Sequence, residues 1–123
     1  MTEYYEKTQP TCKVSILGTE YSVYLYVSER DDAILKEADG YTDKTSHKIV
    51  IADKNAESDL DDYIAHMKKV LRHEIIHAFL FESGLGACAV WQIDEQEHPE
   101  QLVDWMAAQF PKMLKAFQTV GAL

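Results

Sequence analysis

The feature that most constrains this chain is a run of apolar residues at helical spacing. Leu60, Ile64, Met67, Leu71, Ile75 and Ala78 form it, and His73, Glu74 and His77 lie within it. Such a run makes one apolar stripe along a helix. Ser58 with Asp61 resembles a capping box at its start, and Gly84 stands where a left-handed C-terminal residue belongs. Ile76, Phe79 and Leu80 are apolar on other sides, so the helix is expected to run through the interior.

The elements before it read as strands. Cys12, Val14 and Ile16 alternate with Lys13 and Ser15, as a half-buried strand does. Gly18-Thr19-Glu20 offers a turn, and Tyr21, Val23, Leu25 and Val27 alternate again, giving a hairpin. A short helix is expected over Asp31 to Ala38, closed by Gly40, and a third strand over Lys48 to Ala52. Residues 85–98 read as a loop, because Asp94, Glu95, Glu97 and His98 crowd together without periodicity. Pro99 suits the first position of a last helix, which Leu102, Met106, Phe110, Met113 and Phe117 continue. Pro111 is expected to kink or split it. Strands first and helices last make an α+β fold, here a small N-terminal three-stranded sheet followed by two helices.

At 123 residues the chain is a single domain spanning 1–123. Its net charge of -9 argues against nucleic acid as a partner and disfavours anionic membranes. No run approaches the length of a membrane span, and the polar start MTEYYEKTQP has no apolar leader core. With two cysteines, Cys12 and Cys88, and no CxxC, the expectation is a cytoplasmic protein with reduced thiols.

The stretch LRHEIIHAFLFESG carries the chemistry. Residues four apart lie one turn apart on one helix face, so His73 and His77 can aim two imidazoles at one ion. Glu74 is offset by about a quarter turn, within reach of a metal-activated water without ligating the metal. Zinc with three protein ligands keeps an open position and acidifies its water, whose proton a nearby carboxylate can take and later hand to a leaving amine. The bland reading is a helix that happens to carry two histidines and a glutamate. By chance the pattern arises in on the order of one such chain in a few hundred. Burying it in an apolar helix is also costly without partners.

In LRHEIIHAFLFESGL and the downstream PEQLVDWMAAQFPK, the chain resembles a small gluzincin-type zinc metallopeptidase of the kind found in phages and prophages. It is more distantly similar to the ImmA/IrrE-like peptidases, and the likeness spans roughly residues 41–117. The metzincin pattern is excluded, because Leu80 and Ser83 stand where it needs glycine and a third histidine. The resemblance implies a zincin-like fold, a Zn2+ cofactor and a peptide or protein substrate held in extended form on an edge strand, here Lys48–Ala52. It also implies Glu100 as third ligand, with Asp104 one turn on accepting a hydrogen bond from a ligand histidine. Glu100 has a bland reading too, as an acid at the positive end of a helix. His98 is the alternative third ligand, as in the three-histidine SprT type, or an oxyanion donor, and Tyr41 is the other donor candidate.

His66 faces the same way as His73 but lies about 10 Å along the helix, too far to share the ion. Arg72 is expected in a surface ion pair, and Trp105 in the core. The expected function is peptide-bond hydrolysis with Glu74 as general base. The alternatives are a non-catalytic, metal-binding interaction module of the same fold, or a closed structural zinc site. The sequence leaves the oligomeric state open.

Overall fold

A computed structural model describes residues 2–57, 59–84 and 100–123. For Thr2, Glu57, Glu100, Gln101, Val103, Asp104 and Ala107 it describes the backbone. The fold is α+β. A short helix α1 (Thr2–Lys7) precedes strands β1 (Cys12–Ile16) and β2 (Thr19–Val27), then β3 (Gly40–Asp43) and β4 (Lys48–Ala52). The long helices α2 (Tyr63–Ser83) and α3 (Glu100–Thr119) follow.

The sheet has four strands in the order β1-β2-β4-β3, not the expected three. β1 and β2 form an antiparallel hairpin. Leu17 and Gly18 take positive φ of 50° and 91°, the two-residue turn whose twist matches the strands it joins. β4 pairs parallel to β2, and β3 pairs antiparallel to β4. β4 is therefore interior, and β3 takes the edge position that the sequence reading gave to Lys48–Ala52. The reason lies in the residues of β4. Ile49, Val50, Ile51 and Ala52 are all at most 1% exposed, so both faces of that strand are covered.

One face of the sheet packs on the helices. Ile16, Tyr21, Val23, Ile49 and Ile51 meet Leu71, Ile75, Ala78 and Phe79 of α2, and Met113, Ala116 and Phe117 of α3. Trp105 packs partly buried against this core, as expected. The opposite face carries a smaller cluster of Tyr24, Val27, Leu35, Val50 and Ala52, roofed by Tyr4, Tyr5 and Tyr41. There the hydroxyls of Tyr5 and Tyr41 both donate to the fully buried carboxylate of Asp32. Asp32 also caps a turn of 3-10 helix at Ala33–Lys36, which stands in place of the expected longer helix.

α2 begins later than the Ser58 cap suggested. Its N-cap is Asp62, whose side chain accepts from the Ala65 amide, and Gly84 closes it with φ 83° as expected. Leu60 and Ile64 are 50% and 57% exposed, so the apolar stripe is buried only from Met67 onward and the helix is not covered all round. Arg72 donates to the Ala122 carbonyl at 2.6 Å, and Lys68 to the Leu123 carbonyl at 3.0 Å. These two bonds tie the chain end to α2, where an ion pair of Arg72 was expected. α3 runs on through Pro111 as one helix rather than splitting there. Among the described residues, no helix is long and apolar enough to cross a membrane.

Candidate metal centre

His73 and His77 sit one turn apart on the side of α2 that the core leaves uncovered. Their Nε2 atoms form a hydrogen bond at 3.1 Å, with ring centroids 4.7 Å apart and planes at 74°. The His77 ring stacks on Phe81 at 6.0 Å, and the Lys44 ammonium lies 5.3 Å over that same Phe81 ring. Lys44, in the turn between β3 and β4, thus lies over the same ring as the second histidine.

Glu74, between them in sequence, is largely buried. It is 7% exposed, and its Oε1 accepts a 3.0 Å hydrogen bond from the Thr42 hydroxyl of β3. The same hydroxyl stands 2.9 Å from the Glu74 carbonyl oxygen. A hydroxyl has one proton, so the two oxygens share it. Thr42 is on the helix-facing side of β3, paired with Ile49 of the core, and this brings the edge strand alongside the motif.

The spacing of the His73 and His77 Nε2 atoms is that of a hydrogen bond, and it also comes close to that of two nitrogens on one zinc ion. Two nitrogens bound tetrahedrally at about 2.05 Å lie about 3.3 Å apart, close to the spacing observed. Glu100 opens α3 and Asp104 lies one turn on, both with backbone alone described, and His98 lies outside the described residues. The loop read at 85–98 lies outside them as well. Among the described residues, no three His, Cys, Asp or Glu side chains gather as a metal-binding group.

Tyr41 is not at this centre. It is paired with Val50, so its side chain belongs to the far face of the sheet, where its hydroxyl is committed to Asp32. Burial, then that bond to Asp32, push its pKa above the usual phenol value. It therefore has no route to a reaction beside His73, and the oxyanion-donor role falls away from it.

His66 lines one pocket with His73, together with Asp39, Lys69 and Val70. Its Nε2 is 3.0 Å from Asp39 Oδ2, and Lys54 Nζ is 3.3 Å from the other oxygen of that carboxylate. The bond from His66 above all, aided by Lys54, holds the Asp39 carboxyl below its ordinary range against a burial effect that raises it. Sequence reasoning missed Thr42 and Asp39, because a single Thr or Asp in a short polar segment gives no periodic signal. No protein-family model matches the chain, and neither a curated protein nor a solved structure matches it.

Proposed function

We propose that this protein is a zinc-dependent peptidase with a zincin-like arrangement, in which His73, His77 and Glu100 hold the metal. The observation that carries the reading is the facing Nε2 pair of His73 and His77 beside a buried Glu74 that is bonded to the edge strand. Zinc, when bound, supplies positive charge that polarises a carbonyl and acidifies water. Glu74 takes the proton of the attacking water and returns it to the nitrogen of the departing amine. Thr42 keeps the Glu74 carboxylate in place for both transfers. Asp104 accepts a hydrogen bond from a ligand histidine and so fixes its ring.

The substrate lies extended along β3. That strand pairs with β4 on one side, and among the described residues no strand pairs with its other side. Its outward amide and carbonyl groups hold a peptide backbone without reading its sequence.

Metal content by mass spectrometry, on protein purified without chelator, tests the centre. About one zinc per chain, kept in His98→Ala and lost in Glu100→Ala, is the expected result. Glu74→Gln is then expected to retain zinc and to cut no peptide. Zinc loss with His98 moves the third ligand there. Cleavage by Glu74→Gln removes Glu74 as the base, and zinc without cleavage in the wild type favours a binding module. An absence of metal after zinc is added back ends the reading.

A further inference from the structure

His73 forms one end of a cavity of about 230 Å³ whose described walls are Asp39, His66, Lys69, Val70 and His73. His66, Lys69, Val70 and His73 are spaced i, i+3, i+4 and i+7, so they share one face of α2. The remaining wall, Asp39, immediately precedes β3.

β3 and α2 run side by side in the same direction. A Cβ at Gly40 would lie 3.1 Å from Val70, and Thr42 bonds to Glu74 four residues further along the helix. A peptide added antiparallel to β3, the more stable pairing, therefore runs from Asp43 toward Gly40. Its residues on the C-terminal side of a bond placed at Glu74 pass over the cavity.

The charges of the cavity are unequal. Asp39 contributes one negative charge, which Lys54 and His66 already flank at 3.3 and 3.0 Å. Lys69 is exposed on the same wall and adds a further positive charge. With Lys54 beside Asp39, two lysines stand against one aspartate here among the described residues, in a chain of net charge -9. Val70 offers an apolar side for the methylenes of a substrate side chain.

We propose that this cavity is the subsite for the residue that follows the cleaved bond, and that Lys69 makes it select an acidic side chain. The inference rests on the peptidase reading. The test is cleavage by the zinc-loaded protein of synthetic peptides varied at one central position, with the cut sites read by mass spectrometry. Asp and Glu are expected after the cut bond by about two- to fivefold over Ala, the size of one exposed ion pair. Lys69→Ala is expected to abolish the preference, and Lys69→Glu to turn it toward Lys and Arg. Cleavage without an acidic preference, or an acidic preference that survives Lys69→Glu, overturns the subsite and leaves the peptidase standing. Failure to cut any peptide overturns the peptidase reading, and the subsite with it.

Discussion

The hydroxyl of Thr42 donates to the carboxylate of Glu74 at 3.0 Å, joining the edge of the sheet to the middle of α2. A glutamate only 7% exposed needs such a donor, because burying its carboxylate unpaired is costly. The bond therefore serves the fold and the proposed chemistry together.

Thr42→Val keeps the shape of the side chain and removes the donor. It is expected to lower stability by about 1–3 kcal/mol, the cost of a buried acceptor left unmade. Urea denaturation of Thr42→Val beside Thr42→Ser measures it, the serine being expected to stay near wild type. If the valine variant were as stable as wild type, the hydroxyl would not be what holds Glu74.

The turn after β3 predicts how stability depends on acid. Asp43 accepts from the Thr45 hydroxyl at 2.6 Å and from the Thr45 amide at 2.8 Å. The bond from the Thr45 side chain is the main cause of a carboxyl pKa lowered from 3.8 to about 2, with burial opposing it. A depressed folded pKa stabilises the fold above the unfolded value, and the gain is lost as pH falls toward the folded one. Asp43 is only partly buried, so solvent screening keeps the effect at neutral pH to no more than about 1 kcal/mol. Asp43→Asn is expected to be less stable than wild type at pH 6, with the gap closing between pH 3.8 and about 2. A gap that stays constant across that window would assign the effect to shape rather than charge.

How much of this was legible depended on whether one residue pattern could serve only one element. Alternation in 12–16 and 21–27 gave the hairpin, and Gly84 gave the end of α2, because each needs a specific period or backbone angle. β3 escaped because Gly40-Tyr41-Thr42-Asp43 is short and polar, and all four residues are only partly buried. Missing it displaced the edge onto Lys48–Ala52, although the unbroken apolar run there is the mark of a strand covered on both faces. The pairing of His73 with His77 followed from helix geometry alone. The Thr42 partner of Glu74 could not, since it arises from a contact across 32 positions of sequence.

Gly40 decides how closely β3 can approach α2. A Cβ there would lie 2.9 Å from the Ile51 side chain, 2.9 Å from the Val50 carbonyl oxygen and 3.1 Å from Val70. The Ile51 methyl can turn aside, but the Val50 carbonyl belongs to the interior strand, whose ladder pairs Gly40 with Ile51. Gly40→Ala therefore pushes the edge strand outward, at an expected cost of about 1–3 kcal/mol. Because Thr42 is two residues on, the same displacement stretches its bond to Glu74. The double variant Gly40→Ala/Thr42→Val is then expected to lose less stability than the two single losses added, since the first change has already weakened what the second removes. Urea denaturation of the four proteins closes that cycle. Strict additivity would mean that the glycine serves the strand alone, and that the hold on Glu74 survives a shift of the edge.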